Sequence, residues 1–230
     1  MFNSKSARNF AIIFFLGIAS GLPYALILST LKITLLEQGF DLKTIGFFSL
    51  ISIPYTFKFF FAPIIDSSKI PFLTKIFGQR KSWIILMQLF LAIFIASLGQ
   101  STISQNIVAI STFALLVAFA SSMQDIVIDG YRIELLDQED QGFGATSYIY
   151  GYRIGVLISG AGALMLADIM KWDAVFFVMA LFMISTIVIT IFAKETRPNF
   201  ETKAHNFSKW FKYSVIAPFS DFKRYQKWYL

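Results

Sequence analysis

Four charged side chains interrupt the long apolar runs of this 230-residue sequence: Lys32, Lys58, Asp125 and Arg153. A charge in hydrocarbon costs about 2.5–3.5 kcal/mol at a helix centre on insertion scales, so it normally faces a cavity or a partner. Counting about 1.5 Å per helical residue from the inner ends of their runs, Lys58, Asp125 and Arg153 lie roughly 12, 7 and 15 Å deep. They are expected to point inward as a cluster. Asp129 follows Asp125 by one helical turn and shares its face. A carboxylate that meets a cation in one state and drier surroundings in another binds and releases a proton, as coupling to a proton gradient requires. The same charges also make a static cluster that ties helices together, and both readings stand on the residues alone. Lys32, near the outer end of its run, is expected to snorkel to the interface. Tyr24, Tyr55, Tyr148, Tyr150 and Tyr152 are able to stack on sugar rings as well as to pack in a core.

These residues need helices to position them. The apolar runs cover about residues 10–36, 44–65, 83–100, 107–128, 144–167 and 174–193. About 20 apolar residues cross the hydrocarbon layer, so the fold expected is all-α membrane: a six-helix bundle over 10–193. Gly17-x-x-x-Gly21 and Gly151-x-x-x-Gly155 are small faces that let helix backbones approach, and Pro23 is expected to kink the first span. A composition 56% hydrophobic and 15% charged excludes a soluble domain, and the net charge of +6 is a topology signal rather than a nucleic-acid footprint. With the N-terminus inside, segments 1–9, 66–82, 129–143 and 194–230 hold 15 Lys and Arg, against two, Lys43 and Lys171, outside. That bias makes both termini cytoplasmic. Residues 1–9 are then a cytoplasmic N-terminus. Residues 194–230 are a basic, aromatic connector, either lying on an anionic inner leaflet or solvated.

The chain has no Cys, and its one histidine, His205, lies outside the spans. No metal site or cofactor is expected. There is no His-Glu-x-x-His, no Walker loop and no Ser/His pairing, so the chemistry is transport rather than catalysis.

Asp66 and then Gly78-Gln79-Arg80-Lys81-Ser82 resemble the loop 2–3 signature of the major facilitator superfamily. Longer motifs are more specific: Gly17-Ile-Ala-Ser-Gly-Leu-Pro23, Asp41-Leu-Lys-Thr-Ile-Gly-Phe-Phe-Ser-Leu50, and Tyr55-Thr-Phe-Lys58 with Ala62-Pro63. To these add Gln124-Asp-Ile-Val-Ile-Asp-Gly-Tyr-Arg132 and Gly151-Tyr-Arg-Ile-Gly155 running into Ser159-Gly160. Over about residues 10–200 the set resembles the AmpG family of muropeptide permeases. The resemblance implies proton-driven import of anhydro-muropeptides across the bacterial inner membrane for peptidoglycan recycling. It implies a substrate and proton path at Lys58, Gln124, Asp125, Asp129 and Arg153, with Asp125 as the coupling carboxylate, and a gating signature at Asp66, Arg80 and Lys81. The partners implied are membrane lipids, muropeptide and protons. Members of that family carry about twelve spans in two halves, and Leu230 falls where a seventh would begin. The chain is therefore expected to be an N-terminal half. The alternative is a truncated, non-transporting half-permease, or a partner subunit of a complementary six-helix half.

Overall fold

A helix apolar on every side, rather than along one stripe, is suited to hydrocarbon or a deep core. The computed structural model describes residues 4–196, and every regular element among them is helical. Helix α1 runs through Ser4–Ala25, a π-helical turn at Leu26–Thr30, and Leu31–Glu37. Region α2 covers residues 42–67. Then come α3 (Gln79–Ile103), α4 (Ile107–Leu135), α5 (Gln141–Leu157, a π turn at Ile158–Gly162, then Ala163–Ala167) and α6 (Trp172–Phe192). Local chemistry sets the starts. Asn106 caps α4 by accepting from the Val108 and Ala109 amides at 3.1 and 3.2 Å. Asp41 caps α2, and the Thr44 hydroxyl and amide hold its carboxyl below the ordinary range against a small opposing effect of burial.

Helix α1 begins at Ser4, within the segment 1–9 set apart in the sequence as the N-terminus. The second span, expected at 44–65, is not one continuous helix. It is a chain of short pieces: Leu42–Phe47, Phe48–Ser52 in 3₁₀ form, Ile53–Thr56, Lys58–Phe60 and Ala62–Ser67. Pro54 and Pro63 each sit in the first turn of a piece. Lacking an N–H and clashing with the carbonyl four residues back, proline starts a new turn more easily than it continues one. Among the described residues, five helices rather than six are long and apolar enough to cross a membrane.

The tightest seam is between α1 and α5. A side chain at Gly17 or Gly21 would run into the backbone of Tyr148 and Tyr152, and one at Gly151 or Gly155 into the α1 backbone from Phe14 to Leu22. The two π turns meet along this seam. In α5 the π register takes the Ala163 amide to Ile158 O, and Ser159 O receives Thr30 Oγ1 at 2.6 Å. Helix α3 packs between α4 and α6, and α4 also touches α1 and the pieces of α2. Buried side chains of all these elements form one continuous core. The outward faces carry Phe15, Phe90, Ile93, Phe177 and Phe182, as hydrocarbon-facing helices do.

Candidate functional site

Polar side chains gather in two places inside the bundle. At its middle, where α1, α2, α4 and α5 meet, Pro23 sets the geometry. Proline has no N–H to give to the carbonyl four residues earlier. That carbonyl, Ala19 O, accepts from Gln124 Nε2 of α4 at 3.0 Å. The bond fixes the buried amide, with Nε2 on α1 and Oε1 turned elsewhere. Gln124 Oε1 has no hydrogen-bond partner among the described residues, and neither have Asp125 Oδ1 or the buried hydroxyls of Ser20, Tyr55 and Ser121. Ser20 lies close to both Asp125 and Tyr148, and Ser121 close to Tyr55. Aromatic rings wall this cluster: Tyr24 meets Tyr55 edge-on at 5.3 Å and Tyr152 at 5.9 Å, and Tyr152 lies 6.3 Å from Tyr148. Leaving one buried polar atom unsatisfied costs about 1–3 kcal/mol. Five in one place are a poor way to hold helices together and a good way to receive something polar.

The residues expected to form the charge cluster separate here. Asp125 is 7% exposed and makes no ion pair among the described residues. Lys58 lies within electrostatic reach of it from α2. Arg153 does not join them: it is exposed, on the far side of α5. The reason is helical geometry. Gly151 and Gly155 press against α1, and a residue two positions from each is turned by about 200°, away from that contact. Tyr148 and Tyr152 take the inward places instead. Asp129, with 43% of its side chain exposed, pairs with Arg132 at 3.7 Å. Lys32 donates to Ser49 Oγ at 3.0 Å, bridging α1 to α2. Sequence reasoning missed Ser20 and Ser121, because a serine in an apolar helix usually bonds its own backbone and sends no signal. One clue was legible: Ser121, Asp125 and Asp129 follow at four-residue spacing on one face of α4.

The second place is the end of the bundle where Asp66 and Arg80 meet. The Arg80 guanidinium grips Asp66 at 2.5 Å through Nη1, and Glu134 of α4 at 3.0 and 2.7 Å through Nε and Nη2. Gly130 gives it room, since a Cβ there would lie 3.0 Å from Arg80 Cζ. Lys81 Nζ donates to Ile191 O and Ala193 O, both at 2.8 Å, tying α3 to the last carbonyls of α6. Beyond α6 the chain is strapped down. Tyr131 Oη donates to Lys194 O at 2.6 Å, and Thr196 Oγ1 to Glu134 Oε2 at 2.7 Å. Glu195 reaches the start of α3, where Gly78 has φ +84° and a side chain would collide with its carboxyl. Burial pushes that carboxyl above its ordinary range, opposed by the first amides of α3 and by Lys81. A polar cavity of about 480 Å³ lies beside the strap, bordered by Ser6, Asn9, Asp137 and Asp140. Glu134, Tyr131, Glu195 and Thr196 were invisible as partners, because nothing in local spacing links residues 54 or more positions apart. The rest of the connector, residues 197–230, lies outside the described residues.

Similarity to known proteins agrees with this architecture. Residues 13–228 match the family model of the Major Facilitator Superfamily. The chain is 38% identical over 213 residues to an anhydromuropeptide permease of Escherichia coli, covering 92% of this chain and 42% of that protein. It is 38% identical over 222 residues to a putative transporter, AmpG 4, of Rickettsia conorii, covering 95% and 53%. The chain thus spans about half the length of the curated relatives it matches, in their N-terminal part. These relatives are transporters and not enzymes. With its membrane-length helices, its facilitator-type loop and this match over nearly its whole length, the chain belongs to the major facilitator superfamily of membrane transporters.

Proposed function

We propose that this chain supplies the N-terminal six-helix half of a proton-coupled importer of anhydro-muropeptides for peptidoglycan recycling, set in the bacterial inner membrane with both termini in the cytoplasm. The observation that carries the reading is Asp125: a carboxylate buried at the meeting of α1, α2 and α4 that, among the described residues, has no ion pair and belongs to a group of five polar atoms lacking partners. Such a group changes charge cheaply when its surroundings change, which a static salt bridge does not. In this reading Asp125 carries the proton and Lys58 receives the ionised carboxylate in the alternate state. Gln124 and the tyrosines meet the sugar, and Asp129 stands at the inner mouth. Arg153, on the outward side of α5, faces either the substrate or the second half. The Asp66–Arg80–Glu134 contact holds the inner ends together. Facilitator sites lie between two halves that rock against each other, so this half requires a complementary six-helix partner. The similarity to muropeptide permeases supports the substrate, and the excess of inner Lys and Arg supports the orientation.

Proteoliposomes test both parts. This chain, with or without the C-terminal half of the Escherichia coli relative, is given labelled anhydro-muropeptide with and without an imposed pH gradient. Accumulation is expected only with both halves and the gradient. Accumulation that ignores the gradient would overturn proton coupling. Accumulation by this chain alone would overturn the need for a second half.

A further inference from the structure

The outward surface of the bundle is cut by a groove of about 410 Å³ between α1 and α6. Ile12 and Phe15 of α1 wall one side, and Val188 and Phe192 of α6 the other. Ala11, exposed on α1, adds no more than a methyl group and leaves the groove open. Ser6 and Asn9 border one cavity with Lys194, so the start of α1 lies beside the end of α6. At that shared end the groove meets its one charged side chain, Arg8. Arg8, Ile12 and Phe15 follow at helical spacing on one face of α1, about 10 Å from first to last. Arg8 is exposed and takes part in no ion pair among the described residues. Asp66 and Glu134, at the same end of the bundle, are held by Arg80, and Asp140 accepts from Ser6 on another face of α1.

We propose that this groove binds an anionic phospholipid, its phosphate on Arg8 and one acyl chain laid along Ala11, Ile12 and Phe15. A long cationic side chain at the end of an apolar helix reaches headgroup level, and a guanidinium matches the oxygens of a phosphate in pairs. The chain and the cation do different work. Lipid tails are as apolar as the groove, so entering it gains no hydrophobic energy. An empty groove, however, forfeits dispersion contacts on both walls, and an acyl chain restores them. Any phospholipid can supply that chain. Choice among headgroups falls to Arg8, whose unpaired charge favours a lipid with net negative charge over one whose choline cancels the phosphate. Membership of a membrane transporter family places this face against lipid. The leaflet rests on the orientation proposed above, which makes it the cytoplasmic one; the binding does not depend on it.

Native mass spectrometry of the full 230-residue chain tests this, with the chain released from detergent micelles that hold equal amounts of phosphatidylglycerol and phosphatidylcholine. Phosphatidylglycerol is expected to be the lipid retained. Arg8→Gln is expected to lower its preference over phosphatidylcholine by about fivefold, the worth of one cation near an anionic headgroup. Arg8→Lys, which keeps the charge, is expected to retain most of it. Ala11→Phe fills the groove without touching a charge and is expected to lose the retained lipid. Both positions are exposed, and circular dichroism establishes that the variants fold as the parent does. Lys75→Gln removes an exposed cation between α2 and α3, outside the groove, and is expected to change nothing. Unchanged retention in both Arg8→Gln and Ala11→Phe overturns the site. An effect of Lys75→Gln equal to that of Arg8→Gln also overturns it, since the attraction is then one of general surface charge. Displacement of the lipid by soluble glycerol phosphate reduces the site to a phosphate contact and overturns the role of the groove.

Discussion

Arg80 and Asp125 are buried to nearly the same degree, 8% and 7% exposed, in opposite settings. Arg80 spends its donors on two carboxylates from two other parts of the chain, and Gly130 is kept small so that the guanidinium fits. Among the described residues Asp125 has no ion pair, and its Oδ1 has no hydrogen-bond partner. A buried charge stripped of one partner becomes expensive, so the Arg80 network holds α3, α4 and the end of α2 in one arrangement. A carboxylate with no fixed cation takes the charge its surroundings allow. In the proposed function one charge stays and the other changes. Burial alone would have placed them in one class; counting partners separates them.

The comparison breaks first at Arg80. Replacing it with leucine strands Glu134, whose side chain is 8% exposed, and leaves Asp66 without its cation. Losing one member of a buried pair costs about 3–5 kcal/mol. Arg80→Leu is thus expected to lower the thermal unfolding midpoint of the purified chain strongly. Adding Glu134→Leu is expected to recover much of the loss, because the stranded charge is then gone. A small effect of the single change, or no recovery in the double, would show that the network is not the lock described here.

A smaller effect probes the floor beneath Asp125. Gln124→Leu leaves Ala19 O without a donor, at about 1–3 kcal/mol for a buried carbonyl. Pro23→Ala returns a backbone N–H to that carbonyl. The proline substitution is expected to remove most of the cost of Gln124→Leu, measured as a double-mutant cycle on thermal stability. Strict additivity would mean that Pro23 and Gln124 do not share the carbonyl.

The same two regions show what the sequence made legible. The spans other than the second were readable because a run of apolar residues is a local signal, as were the small glycine faces of α1 and α5, though not that the two meet. Asp125 was found because a charge in such a run is conspicuous, and Gln124 through the family resemblance. The segmentation of α2 was foreshadowed by Pro54 and Pro63, yet its 3₁₀ stretches depend on packing against α4. The family signature grouped Asp66 with Arg80, but Glu134 was unreadable as a partner, since it reaches Arg80 across 54 positions. The outward turn of Arg153 followed from Gly151 and Gly155, once those glycines were known to face α1. Its charge argued for the inside, and helix phase decided otherwise.

The smallest stability effect is expected at Asp125, the proposed proton carrier. Asp125→Asn keeps the shape of the side chain and removes the charge. Among the described residues no ion pair depends on it, so nothing is stranded, unlike the change at Arg80. The variant also avoids burying an ionised group, which offsets any lost attraction to Lys58. Thermal stability is therefore expected to stay within about 1 kcal/mol of the parent, or to rise, as removal of a functional charge often allows. In the two-half proteoliposomes the same variant is expected to lose gradient-driven accumulation while keeping exchange of muropeptide across the membrane, because exchange needs the cavity and not the proton. The two measurements must move in opposite directions. If Asp125→Asn unfolds the chain as Arg80→Leu does, Asp125 is a structural charge like Arg80, and the contrast between the two regions fails.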